Sequence, residues 1–221
     1  PEMLKLDLIV HNNLASLAQH DDPQKSAAWL RRAIEAGEKL VSAFPGSPRH
    51  RAQLAQLLAN QGELAHERKS SSLAEHSLQS SARVWEGLSQ QFTSNERYRL
   101  ELATVQNRLG QFYLQHGRLP LAKSAFLDAA QELASVDLSH HEPATILSDL
   151  ASIQNNLGLC YERMSQFDDA SLCYSRSVDV QRQAMAYDPD NPDLQMRLAL
   201  HKQNLSRLRS VGTQLESELT Q

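Results

Sequence analysis

A self-similarity of 48 residues constrains this chain more than any other feature: Leu54-Ala55 recurs as Leu102-Ala103 and Leu150-Ala151, and Gly62 as Gly110 and Gly158. Ala74, Ala122 and Ala170 keep the same spacing, as do Leu78, Phe126 and Tyr174, and Leu198, Asn204 and Leu205 begin a further copy. A period of roughly 20–50 residues marks a unit that buries its apolar face only against the next copy of itself. The expectation is therefore one continuous array over residues 1–221, whose ordinary work is to present a long surface to a partner.

Inside the period the apolar spacing is helical. Leu30, Ala33, Ile34, Gly37, Leu40 and Val41 follow the i, i+3, i+4, i+7 rule, and Leu78, Ala82, Trp85 and Leu88 repeat it. Each such stripe is preceded by another, as in Leu102, Val105, Leu109 and Tyr113 or Leu150, Ile153, Leu157 and Tyr161. No period-2 alternation is long enough for a strand. Gly and Pro number only 8 each, which favours long helices because both are costly in a helix interior. Ser47-Pro48 and Asn191-Pro192 lie three periods apart, each pairing a good N-cap with a proline suited to the first helical position. Asn95 and Glu142-Pro143 mark the intermediate joints. Turns within the pairs fall near Asp22-Pro23, Lys69-Ser70, His116-Gly117 and Met164-Ser165. The spacing predicts an all-α chain of helical hairpins over about 1–46, 47–94, 95–142 and 143–190, with a capping helix over 191–221. Each helix would run about 20 residues, or roughly 30 Å.

Several function classes lack their residues. The net charge is −4 with no basic stripe, so the pattern predicts no nucleic-acid partner. No apolar run is long enough to span a membrane or to form a signal-peptide core. The eight glycines never come closer than Gly110 and Gly117, which excludes a phosphate-cradling loop, and no Gly-x-Ser-x-Gly elbow occurs. His140-His141-Glu142 is the tightest histidine cluster, and it reads as a solvated inter-repeat loop rather than a metal site. Asp21-Asp22 and Asp168-Asp169 stand at helix starts, where carboxylates complement the helix dipole. Neither a catalytic constellation nor a cofactor site is expected. Cys160 and Cys173 read as reduced core thiols, and a cytoplasmic setting follows from that reading. Pro1 in place of Met reads as the start of a piece of something longer.

Leu109-Gly110-x2-Tyr113 with Ala122-x3-Phe126, and Leu157-Gly158-x2-Tyr161 with Ala170-x3-Tyr174, resemble the tetratricopeptide repeat (TPR). In that pattern the glycines let a partner helix approach, the alanines receive its packing and the aromatics fill the wedge. Gln61 and Ala65 replace the Leu and Tyr in one copy, and Gln106 and Gln154 stand where the pattern has Trp. The period also exceeds the usual 34 residues, as in the long-helix variants of bacterial multidomain signalling proteins, including regions attached to kinase domains. The resemblance implies a right-handed superhelical array acting as a non-catalytic protein-interaction module, with first helices lining a concave face.

On those first helices an asparagine recurs in every layer: Asn12-Asn13, Asn60, Asn107, Asn155-Asn156 and Asn204, with Arg108 breaking the series. A carboxamide both donates and accepts, so it can pair with the backbone of an extended partner segment. Glu63, Gln111, Arg163 and Arg207 stand beside the series and would add selectivity. The same asparagines would equally serve to tie neighbouring helices together, and the sequence leaves both roles open. A different kind of function is also open, self-association into a homodimer through apolar stripes on the terminal helices. Leu4, Leu8, Leu205, Leu208, Leu215 and Leu219 are the candidates.

Overall fold

The computed structural model describes residues 2–19 and 21–219, and the side chains of these except at 140 and 211–219. Among the described residues there are nine α-helices and no strand: α1 (Glu2–Ala18), α2 (Pro23–Ala43), α3 (Pro48–Glu67), α4 (Ser71–Gln91), α5 (Glu96–Gln115), α6 (Leu119–Ala134), α7 (Pro143–Arg163), α8 (Phe167–Tyr187) and α9 (Pro192–Leu219). The residues form two compact units, Pro1–Leu109 and Gly110–Gln221, with the boundary inside α5.

Helix starts follow the expected chemistry. Ser47 Oγ accepts from the His50 amide at 3.4 Å, and Asn191 Oδ1 accepts from the amides of Asp193 at 3.0 Å and Leu194 at 3.4 Å. Asp22 caps α2 through the Lys25 amide at 3.0 Å. The tight turns are also periodic. Lys69, Gly117 and Ser165, 48 residues apart, take φ values of 58°, 70° and 59°. Behind them Ser70 N donates to Ala65 O, Arg118 N to Tyr113 O and Gln166 N to Tyr161 O, at 2.8, 2.9 and 2.9 Å. These bonds satisfy carbonyls that the last helical turn would otherwise leave bare, in the manner of a Schellman cap.

In the first unit α1 pairs with α2, α3 with α4, and α2 packs on α3. Leu8, Ala15, Leu30, Ala33, Ile34, Leu40, Leu57 and Leu64 form a buried cluster there. In the second unit α7 pairs with α8, α6 packs on α7, and α9 covers α8. A β-carbon added at Gly62 would lie 2.6 Å from Leu78 Cγ; at Gly110, 2.5 Å from the Phe126 ring; at Gly158, 2.6 Å from Tyr174 Cδ1. Ala74, Ala122 and Ala170 are fully buried beside these contacts. The three glycines therefore sit where any side chain would collide with the opposing helix.

Two expectations need correction. Helix α6 has 16 residues rather than about 20. Ser135 Oγ donates to Glu132 O at 2.8 Å, and Asp137 accepts from the Ser139 amide at 2.9 Å to start a 3-10 turn at Leu138–His140. Such local side-chain bonds compete with helix continuation. The terminal leucines also differ from their assigned role. Leu8 and Leu208 are buried, and Leu4 and Leu205 pack against core clusters. The large apolar residues exposed on α1 are instead Met3, Leu6, Ile9, Val10 and Leu17. The side chains of Leu215 and Leu219 lie outside the described residues.

Candidate partner-binding face

In the first unit, helix α3 places Arg49, Gln53, Gln56, Asn60 and Glu63 at alternating spacings of four and three, which brings them to one face. Helix α5 repeats the register one period later with Arg97, Glu101, Thr104 and Arg108. Gln56 Nε2 donates to Asn60 Oδ1 at 3.1 Å, so two carboxamides stand side by side along α3. Arg108 Nε meets Glu63 Oε1 at 2.8 Å and ties α5 to α3. A cleft of about 160 Å³ lies against this face, lined by Asn12, Ser16, Gln19, Ser26, Asn60 and Glu63 among others. Asn13 is exposed and does not line it. Asn107 is one residue out of register with Asn60 and is half-buried.

The second unit resolves its asparagines into two registers as well. Asn155, in line with Asn107, is only 8% exposed, and its Oδ1 accepts from Asn204 Nδ2 at 2.8 Å. That bond ties α9 to α7. Asn156, in line with Asn60, is half-buried on the neighbouring strip. Arg207 grips Glu162 with two bonds of 2.5 and 2.7 Å, and Tyr174 donates its hydroxyl to the same carboxylate at 2.8 Å. Arg163 Nη1 donates to Leu114 O at 2.8 Å, satisfying a carbonyl in the last turn of α5. Gln111 is exposed.

The electrostatics follow from these contacts. The Arg207 guanidinium, helped by Tyr174, holds the Glu162 carboxyl below the usual range, and Glu162 in turn raises Arg207. Burial, with the carboxylate alongside, pushes the Tyr174 phenol far up. Asp149 is raised by burial, against the opposing pull of Arg197 at 3.5 Å. Cys160 and Cys173 are free, buried thiols, both raised by burial, and Cys160 Sγ donates to Leu119 O at 3.4 Å. Among the described residues no three His, Cys, Asp or Glu side chains converge to hold a metal ion. No helix among them is long and apolar enough to cross a membrane.

No protein-family model matches the chain, and no curated protein matches it by sequence. Solved structures do. The yeast histone chaperone Hif1, described as a scaffold protein recruiting protein complexes to core histones, matches with a TM-score of 0.59 at 11% identity, over 94% of this chain and 97% of its own. The nearly identical TPR-like repeats of a putative kinesin light chain from Podosopora anserina match with a TM-score of 0.57 at 16% identity, over 98% and 93%. The chain has a TPR-like fold. At such identities the likeness is one of fold, and the side chains on the TPR-like first helices are this chain's own.

Sequence reasoning passed over Gln53, Gln56, Asp149, Glu162 and Arg197. Arg108 with Glu63 and Arg207 with Glu162 are both separated by 45 residues, and Asn204 with Asn155 by 49. A search for complementary side chains three residues short of one period, or one residue beyond it, would have found these ties.

Proposed function

We propose that the chain is a non-catalytic protein-interaction module that holds a partner segment along the polar faces of its first helices, within a larger cytoplasmic signalling or regulatory protein. One observation carries this reading. Gln53, Gln56, Asn60 and Thr104 form a periodic polar strip, half-buried or exposed, that does not serve the apolar core. The scaffold role described for the yeast structural neighbour agrees with it. Within the asparagine series the Asn204–Asn155 bond supports a tying role for that pair, and the position of Asn60 beside the Asn12–Glu63 cleft supports a partner-facing one.

The test compares two variants. Gln53→Ala with Asn60→Ala should leave unfolding free energy within about 0.5 kcal/mol of the parent, since partly exposed groups are replaced. The partner recovered with the intact chain should be lost. Asn204→Ala should instead cost about 1–3 kcal/mol, because it strips a buried acceptor of its donor. Undiminished partner recovery by the first variant contradicts the reading.

A second reading has its own observation. Met3, Leu6, Val10 and Leu17 make an exposed apolar stripe along α1, at spacings that alternate three and four with Asn13 completing the series. Such spacing suits the seam of a two-helix coiled coil, and it supports self-association as the alternative role.

A further inference from the structure

Repeat positions that differ between hairpins leave a cleft in the first unit. Residues 65, 113 and 161 share one register, and they are Ala65, Tyr113 and Tyr161. Residues 27 and 123 are equivalent across two periods, Ala27 against Lys123. In the second unit this space is filled from within the chain. The Lys123 ammonium lies 4.8 Å from the centre of the Tyr161 ring, joining α6 to α7. In the first unit both side chains stop at the β-carbon, and a cleft of about 280 Å³ opens between α2, α3 and the start of α4. Leu30, Leu64 and Ala65 line it at 4% exposure each, Leu73 stands half-open at 43%, and Arg31 and Arg68 flank it from solvent.

We propose that this cleft receives an aromatic side chain from a partner protein, in the place that Tyr161 occupies in the second unit. The occupant's chemistry is read from the molecule's own use of the equivalent space, a ring under a cation. Leu30, Leu64, Ala65 and Leu73 take the ring on the apolar side of a lining that also holds Gln61 and Ser70, and a guanidinium from Arg31 or Arg68 meets its face, as a cation does over an aromatic quadrupole. The volume falls below the roughly 300–1,000 Å³ of pockets for drug-sized ligands, which fits one side chain rather than a cofactor. An aliphatic side chain would use the lining and leave both cations idle. This inference rests on the chain being an interaction module but not on the polar strip. Loss of the strip reading would leave the cleft's own test unchanged.

The test is a methyl-detected NMR titration of the whole chain with N-acetyl-tyrosinamide, and with N-acetyl-leucinamide for comparison. Ring-current shifts should appear at the methyls of Leu30, Leu64 and Leu73 and saturate, with the leucine amide binding about tenfold more weakly or worse. Ala65→Tyr, which restores the residue of the other repeats, should melt no lower than the parent and abolish those shifts. Arg31→Ala combined with Arg68→Ala, both surface changes, should weaken the tyrosine amide by about threefold and leave the leucine amide unaffected, and an unchanged tyrosine affinity would overturn the pairing of ring and cation. Equal binding of the two amides, undiminished binding by Ala65→Tyr, or an Ala65→Tyr chain that melts lower or fails to fold would each overturn the proposal. The last outcome would mean that the cleft lacks room for a ring.

Discussion

Gly158 faces the Tyr174 ring with no room for a methyl group, whereas a β-carbon at Gly87 on α4 would meet nothing within 4 Å. The two glycines therefore predict opposite outcomes. Gly158→Leu should overpack the α7–α8 contact and cost about 1–3 kcal/mol or more. Gly87→Ala should gain about 0.5–1 kcal/mol, because the only change is helix propensity. Chemical denaturation of both variants checks the pair, and a neutral Gly158→Leu would remove that glycine from the helix contact. Lys69 and Ser165 raise a second prediction at this scale, since both hold a left-handed backbone that glycine adopts without strain. Lys69→Gly and Ser165→Gly should each raise stability, by up to about 1 kcal/mol, and a loss in either would mean that its side chain makes a contact worth more than the strain. The contact glycines were legible in the sequence because their period is unbroken and paired with an equally periodic alanine. The left-handed turns were legible only as turns. One of the three carries glycine, and Lys and Ser give no signal for positive φ.

Helix α9 shows what an element adds to its residues. His201 is 2% exposed on it, and burial holds the imidazole below its ordinary value. In the native state it therefore stays neutral where the unfolded chain already binds a proton. The sign follows: stability from this group is complete above the unfolded pKa, about 6.5, and is lost as pH falls towards the lower native value. Glu162, held down by Arg207 from the same helix, adds a second loss below the ordinary glutamate value of about 4.3. Unfolding free energy measured against pH should fall in two stages on acidification. His201→Gln should remove the first stage and Glu162→Gln the second, and a parent profile flat between about pH 7 and 5 would refute the histidine assignment. That α9 exists was legible from Asn191-Pro192 and the renewed Leu198, Asn204 and Leu205 pattern. Its grip on α7 was not. The Arg207–Glu162 and Asn204–Asn155 pairings depend on the rotation of one helix against another, which a repeat period does not encode.

Across the chain two surfaces are proposed for the functional role, the polar strip of the first helices and the apolar stripe of α1. They differ in what salt and dilution do. An assembly through Met3, Leu6, Val10 and Leu17 should show twice the monomer mass by light scattering and resist added salt, because apolar contacts are not screened. Leu6→Lys with Val10→Lys should then return the monomer without loss of helicity. A monomer at every concentration would retire self-association for this chain. Site-specific photo-crosslinking shows whether a partner lies along the first helices. A photoreactive residue is placed in turn at Gln53, Thr104 and Gln111 on first helices, and at Glu86, Leu127 and Asp179 on second helices. Partner adducts are expected from the first-helix positions alone. Adducts from the second-helix positions, with none from Gln53, Thr104 or Gln111, would contradict that placement.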